Sequence, residues 1–170
     1  ATCDQPEPLW GWKEPNAHVL LPFLLAALPN MRYIHVTRHG LDMAHSSNQT
    51  QLMVWGARLL GRAVDTRSAD DSLAYWCAAH ERLLQLCELA DQQILILSFE
   101  RLFTDADSTL NNLCSFLGLP NTLATARETL SALDAPQTIG RHRELQRLNV
   151  SKANRRLLHH LGYDIENPTG

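Results

Sequence analysis

Two short apolar runs, separated by a long helical pattern, constrain the fold of this chain more than any other feature. The runs are Tyr33-Ile-His-Val-Thr37 and Gln93-Ile-Leu-Ile-Leu-Ser98, and both have the length and β-branched or aromatic content of buried strands. Between them, from Asp70 to Ala90, apolar residues recur at intervals of three and four, which predicts one buried face of a long helix. Strands that are separated by helices pair in parallel, so the sequence predicts a helix-rich α/β fold.

Further helices are predicted on both sides of this unit. Thr104 is expected to cap one of them, with Asp107 completing a short capping box and Gly118 providing a left-handed stop before Pro120. The other predicted helices cover residues 18–28, a stretch from about 41, and residues 53–63, 122–133 and 150–161. Because a continuous apolar strand needs both faces and both edges covered, we expect further strands, or a partner that supplies them, beside the first two.

Length, charge and cysteine usage exclude several classes of protein. With 170 residues the chain fits a single domain, residues 1–170. Its longest apolar run, Val19–Leu28, contains Pro22 and is too short for the ~20 residues that span a bilayer, so no membrane span is expected. No cysteine forms a C-x-x-C pair, so we expect no metal site and reduced, buried thiols at Cys77, Cys87 and Cys114. Reduced thiols suit a cytoplasmic protein.

The segment from Thr37 to Ser46 carries the strongest indication of a binding site. Arg38 directly follows the first predicted strand, and ligands in open α/β sheets bind beyond the carboxyl ends of strands. The planar guanidinium group suits a phosphate, Ser46 can add a hydroxyl from the following helix, and the start of that helix presents backbone N–H groups. The alternative is an ion pair between Arg38 and a nearby carboxylate such as Asp42, and the segment by itself favours neither.

Five blocks of sequence, in a fixed order, resemble one protein family. They are Trp12–Pro15 with Leu28–Arg38, then Arg38–Ser46, then Phe99–Leu102 with Cys114–Pro120, then Ile139–Arg143, and finally Leu161-Gly-Tyr163. Each block is short, but together they cover nearly the whole chain and resemble the sulfotransferases. The resemblance implies a P-loop-NTPase-like sheet flanked by helices, and the transfer of a sulfuryl group from 3′-phosphoadenosine 5′-phosphosulfate (PAPS) to a hydroxyl or amine acceptor.

The resemblance also implies how the donor is held. Arg38 and Ser46 would bind the 3′-phosphate of PAPS and of its product, adenosine 3′,5′-bisphosphate. Arg141 and Arg143 fall where a late basic loop of the family closes over that phosphate. The chain departs from the family pattern at His39-Gly40, which replaces the usual Asp-Pro.

The catalytic groups are less clearly marked. Lys13 matches a lysine that in many sulfotransferases lies near the transferring sulfuryl group, and its neighbour Glu14 is a candidate general base. The family's Gly-, Ser- and Thr-rich loop for the 5′-phosphosulfate has no counterpart in this sequence. We therefore expect the chain to be the C-terminal part of a sulfotransferase domain and to be inactive by itself.

Partners follow from the resemblance and from the charge distribution. The expected acceptor is a small molecule, a glycan or a peptide, and homo-oligomerisation is left open. Residues 141–156 contain six Arg and Lys side chains against Glu144, so nucleic-acid binding through the C-terminal helix is one alternative. The net charge of −3 and the absence of interleaved aromatics argue against nucleic acid. Another alternative is a non-catalytic nucleotide-binding or interaction domain of the same fold.

Four further side chains carry expectations that the structure can test. His35 is predicted to be a hydrogen-bonded core residue of the first strand. His39 and His45, which flank the candidate phosphate site, are predicted to be solvent-exposed. Glu100 follows the second strand and is expected to pair with a backbone amide or an arginine.

Overall fold

The computed structural model describes residues 10–119, 123–145 and 148–165. Within these ranges the chain forms two strands and eight α-helices, together with short 3₁₀ turns. The elements are α1 (Ala17–Ala27), β1 (Tyr33–Thr37), α2 (Gly40–Ala44), α3 (Thr50–Leu60), α4 (Ala69–Leu89), β2 (Ile94–Ser98), α5 (Arg101–Thr104), α6 (Ala106–Leu117), α7 (Leu123–Ser131) and α8 (Lys152–His160).

The two strands form a parallel pair, as the sequence predicts. Residues from Tyr33 to Thr37 face residues from Ile94 to Ser98 one to one, and α4 lies in the connection between them. This confirms a helix-rich α/β chain with a small parallel sheet of two strands in its described part. A larger P-loop-like sheet stays a prediction, because two strands do not define its strand order.

Several helix boundaries differ from the predicted ones by one to three residues, and two of the differences have local reasons. The helix predicted from residue 53 begins at Thr50, where the Asn48 side chain accepts the Thr50 N–H at 3.2 Å. The expectation that Thr104 caps α6 is wrong, because Thr104 is the last residue of α5 and Asp105 is the N-cap residue. The left-handed stop at Gly118 is confirmed, with φ of 69°, whereas Pro120 lies outside the described residues.

The long helix α4 connects two parts of the core. Its first half contributes Leu73, Trp76 and Cys77 to a cluster with residues of α2, α8 and the segment after α8. Its second half packs Leu83 against Leu21 of α1 and Ile94, the first residue of β2. The helix therefore runs antiparallel to the strands, and its N-terminal half lies near their carboxyl ends.

Close packing at the carboxyl ends depends on one glycine. A Cβ atom at Gly40 would lie 2.9 Å from the Trp76 ring and 3.0 Å from Leu158, which is closer than side-chain carbons pack. Cys77 and Cys114 are buried, as predicted, whereas Cys87 is half-buried, and none of the three takes part in a disulfide within the described ranges. Burial raises the pKa of Cys77 to about 12, so this thiol stays protonated at neutral pH. No helix in the described ranges is both long and apolar enough to cross a membrane.

Candidate functional site

Arg38 and Phe99 lie side by side because the strands before them pair in register. Phe99 donates its N–H to the carbonyl oxygen of Thr37 at 2.8 Å, which extends the ladder by one bond beyond the strands. The Arg38 guanidinium carbon lies 4.9 Å from the centroid of the Phe99 ring, within the range of a cation–π contact. Arg38 Nη2 also donates to Thr138 Oγ1 at 2.9 Å, so a residue one hundred positions away reaches the strand ends.

The guanidinium group of Arg38 keeps unused hydrogen-bonding capacity. Its Nε is buried and has no acceptor within the described part of the chain. The ion pairs there join Arg62 to Asp71, Arg101 to Asp105, Arg127 to Asp107 and His142 to Asp42, so Arg38 pairs with none of the described carboxylates. The alternative of an Arg38–Asp42 ion pair is therefore wrong. A buried donor without an acceptor costs about 1–3 kcal/mol, and an anion placed here would recover that loss.

Asp42 binds the 138–143 loop instead. Its side chain is fully buried and accepts hydrogen bonds from Gly140 N at 2.7 Å, His142 N at 3.0 Å and His142 Nδ1 at 2.5 Å. Burial by itself would raise the pKa of Asp42, but the hydrogen bonds from His142 and Gly140 outweigh it and lower that pKa to about 2. Asp42 is thus a carboxylate that anchors the 138–143 loop to α2, and the same loop delivers Thr138 to Arg38.

The two arginines predicted in this loop have different surroundings. Arg141 donates from Nε and Nη2 to the main-chain oxygen of Asp42, at 2.9 and 2.6 Å, so it helps to fix the loop on α2. Arg143 is exposed and follows the left-handed Gly140, whose φ is 79°. The structure therefore brings the loop to the strand ends, while phosphate binding by Arg141 and Arg143 stays a prediction.

Ser46 lies beyond α2, so the expectation that it belongs to the helix after Arg38 is wrong. Helix α2 has only five residues, and its Leu41 N–H already donates to His39 Nδ1 at 3.2 Å. Few backbone N–H groups at the start of this short helix are therefore available to a ligand. Ser46 Oγ accepts the Asn48 N–H at 3.2 Å, and the described residues offer no acceptor to its hydroxyl proton, which can still be donated.

Lys13 and Glu14 precede α1, and no described contact joins them to Arg38. Lys13 is exposed. Glu14 Oε1 accepts from both the backbone N and the side-chain Nδ2 of Asn16, at 2.9 and 2.8 Å, and these bonds, the backbone one first, lower the pKa of Glu14. A carboxylate with a lowered pKa is a weaker base. The geometry of Glu14 is that of a residue which orders the start of α1, and its role as a base stays a prediction.

His39 is buried, so the expectation of an exposed side chain there is wrong. Its ring stacks on His142 with centroids 4.2 Å apart, and only 8% of the residue is accessible. Because Nδ1 accepts from Leu41, Nε2 carries the proton and faces the Asp164 carbonyl oxygen at 3.3 Å. Burial, and then the neighbouring His142, lower the pKa of His39. His39, which stands where the family pattern has Asp, therefore has a structural role.

Glu100 pairs with a backbone amide, as predicted. Its Oε1 accepts the His39 N–H at 2.8 Å, and its Oε2 accepts the hydroxyl groups of Ser98 at 3.0 Å and Tyr163 at 3.3 Å. This carboxylate ties together the residues that follow the two strands and the segment after α8. It fixes the backbone next to Arg38.

A buried pair of histidines, His35 and His80, lies beside the site, and only His35 was predicted from the sequence. His35 accepts from the Tyr33 hydroxyl at Nδ1 (3.1 Å), and its Nε2 lies 3.3 Å from Nε2 of His80, which confirms that His35 is a hydrogen-bonded core residue. His80 also meets Thr37 Oγ1 at 2.9 Å. The alternation of Tyr33, His35 and Thr37 along β1 could have indicated a polar strand face, but nothing local identifies His80 on α4 as the partner. In the described ranges no cluster of three His, Cys, Asp or Glu side chains is arranged to hold a metal ion.

Comparison with known proteins identifies a family for this chain. A family model described as the sulfotransferase family matches residues 1–123, which is more than half of the chain. The matched range contains Lys13, Glu14, Arg38 and Ser46, whereas the 138–143 loop lies outside it. No curated protein and no solved structure showed significant similarity.

Proposed function

Since the chain belongs to the sulfotransferase family, we propose that it acts in sulfuryl transfer from PAPS to a hydroxyl or amine acceptor, by holding the 3′-phosphate of the donor. The proposal includes a single P-loop-like domain and a cytoplasmic location, as the sequence predicts. PAPS, when bound, supplies the sulfuryl group, and adenosine 3′,5′-bisphosphate is the product that leaves. The acceptor is treated separately below.

The buried Nε of Arg38 is the observation that carries this proposal. A guanidinium at a strand end, flanked by Phe99 and Thr138 and without a described carboxylate partner, has the charge and the unsatisfied donor that a phosphate group complements. A phosphate oxygen accepting from Nε would remove the cost of the unsatisfied donor. The residues present therefore fit the 3′-phosphate.

The remaining groups are assigned around Arg38. Ser46 offers its hydroxyl proton to the same phosphate, since its oxygen is already oriented by Asn48. Arg143, and the free edge of the Arg141 guanidinium, add positive charge from the 138–143 loop, which Asp42 holds in place. Together they would neutralise the two negative charges of a phosphate monoester.

Lys13 and Glu14 are proposed for the reacting end of the donor. A lysine near the transferring group neutralises charge that develops on the bridging oxygen. Glu14 would accept the proton of the acceptor hydroxyl or amine at Oε2, because both bonds from Asn16 go to Oε1. We assign no residue to the 5′-phosphosulfate, because the sequence contains no Gly-, Ser- and Thr-rich loop of the kind that binds it.

Calorimetric titration with adenosine 3′,5′-bisphosphate tests the role of Arg38. Arg38→Ala should weaken binding about tenfold or more, because one charge-assisted contact contributes ~1.5–3 kcal/mol and ~1.4 kcal/mol corresponds to a factor of ten. Arg58→Ala is the control, because Arg58 is an exposed residue of α3 without a described ion pair. Unchanged affinity in Arg38→Ala would rule out this assignment.

A second ligand tests which phosphate Arg38 contacts. Adenosine 5′-phosphate lacks the 3′-phosphate, so it should bind the wild-type chain more weakly, and Arg38→Ala should change its affinity less than twofold. An equal effect of Arg38→Ala on both ligands would place Arg38 at a different phosphate. Transfer of radiolabelled sulfate to a hydroxyl or amine acceptor by this chain alone would contradict the expectation that it is inactive by itself.

A further inference from the structure

Helix α8 carries a continuous row of basic side chains on one face. Lys152, Arg155, Arg156, His159 and His160 are all exposed. They are spaced three and four residues apart, which places them on neighbouring turns of the same helix face. The opposite face holds Leu157 and Leu158, which are 7% and 0% accessible, so the helix is fixed to the core with its basic face outward.

The basic side chains of this face form no ion pair with the described residues. Helix α8 contains no Asp or Glu, and none of the five side chains takes part in the ion pairs of the described ranges. The chain as a whole has a net charge of −3, so the row does not reflect general basicity. Basic side chains that form no ion pair attract anionic ligands.

A groove follows the basic face and leads toward the strand ends. It has a volume of about 480 Å³ and is lined by Arg155, Arg156, His159 and His160 together with Tyr163, Asp164 and Ile165. We call it the α8 groove. Its volume falls within the ~300–1,000 Å³ of ligand-binding clefts. Tyr163 in its wall donates to Glu100 at 3.3 Å and lies with its ring centroid 5.0 Å from that of His39, so the groove adjoins the residues that flank Arg38.

We infer that the α8 groove binds an anionic oligosaccharide, a chain bearing sulfate or carboxylate groups. The closely spaced cations Lys152, Arg155 and Arg156 match an acceptor with repeated anionic groups. Among the described residues of the groove wall, the only aromatic residue besides histidine is Tyr163, which is 5% accessible and offers little surface for base stacking. This favours a glycan over single-stranded nucleic acid. A catalytic role for this glycan rests on the proposed function. The anionic donor would repel an anionic acceptor, and the cations of the α8 groove would reduce that repulsion.

A titration with a heparin-derived hexasaccharide tests the inference on the full chain. Lys152→Glu with Arg156→Glu should weaken binding at least tenfold, since neither side chain makes a described hydrogen bond whose loss would unfold α8. Arg58→Glu with Arg67→Glu changes the net charge equally, at exposed positions of α3 and of the segment between α3 and α4, and should change the affinity less than threefold. Equal losses in both double variants, or no binding by the wild type, would overturn the inference.

Two further measurements define the partner. Asp164→Asn removes a carboxylate from the groove wall and should tighten hexasaccharide binding, and a weaker complex would contradict the assigned location. Binding should also weaken as salt rises, because exposed charges are screened over about 10 Å at 0.1 M ionic strength. A single-stranded 12-nucleotide DNA that binds more tightly than the hexasaccharide would replace the glycan with nucleic acid.

The same proteins, titrated with adenosine 3′,5′-bisphosphate, separate this inference from the proposed function. Lys152→Glu with Arg156→Glu should bind the nucleotide within threefold of the wild-type affinity. A wild-type chain that binds the hexasaccharide but not the nucleotide supports the α8 groove and refutes the donor site. A wild-type chain that binds the nucleotide but not the hexasaccharide supports the donor site and refutes the α8 groove.

Discussion

Mild acid should destabilise this protein through its buried histidine pair. Nδ1 of His80 lies 2.7 Å from the Trp76 carbonyl oxygen and must carry a proton, because a carbonyl oxygen only accepts. Nε2 of His80 is therefore an acceptor that faces Thr37 and His35. A second proton on His80 would turn this acceptor into a donor that faces the Nε2 proton of His35. Neutral rings satisfy the arrangement and charged ones disrupt it.

The size of the effect follows from proton linkage. Burial, and then the neighbouring His80, lower the pKa of His35 to about 3, whereas burial lowers that of His80 to about 4; both are about 6.5 in an unfolded chain. Because the unfolded state binds these protons first, the stability from neutral rings is complete above pH 6.5 and is lost as the pH falls toward 4. At pH 5.0 the loss is about 2 kcal/mol for each ring, or about 4 kcal/mol for the pair, against a typical total of ~5–15 kcal/mol.

Urea unfolding at pH 7.5 and at pH 5.0, followed by circular dichroism, measures this loss. In the variant His35→Gln with His80→Asn, amide groups keep hydrogen-bonding atoms near the ring positions but do not titrate. The wild type should lose about 4 kcal/mol more than the variant between the two pH values. His18 and His39 are present in both proteins, so their own titration cancels in the comparison. Equal losses in the two proteins would refute the reasoning.

Two further substitutions test how the site is held together. Asp42→Asn replaces an anchor that accepts from Gly140 and His142, so urea unfolding at pH 7.5 should show a loss of ~1.5–3 kcal/mol, and adenosine 3′,5′-bisphosphate binding should weaken as the 138–143 loop loosens. Gly40→Ala should destabilise the chain by ~1–3 kcal/mol, because the new Cβ would lie 2.9 Å from the Trp76 ring, and a melting temperature equal to that of the wild type would contradict the packing described.

The elements of this fold are largely local properties of the sequence. The β-branched and apolar runs around residues 33–37 and 94–98 specify strands, and the apolar repeat of α4 specifies the helix between them. A parallel pair then follows from connection rules alone, and with it the position of Arg38 at a strand end. The family follows as well, since short blocks in order indicated the sulfotransferase family that the match over residues 1–123 shows. Helix limits followed less directly, because the N-cap residues are Gln49 for α3 and Asp105 for α6, and neither position stands out in the local sequence.

The surroundings of each side chain were decided only by the tertiary structure. The sequence offered Asp42 as a partner for Arg38, but the carboxylate binds Gly140 and His142, and Arg38 meets Thr138. His39 likewise became buried in part because His142 stacks on it. These contacts join residues about one hundred positions apart, so no periodicity or spacing within a segment can encode them. They depend on which surfaces the packed helices bring together, whereas a strand or a helix depends on neighbours within a few residues.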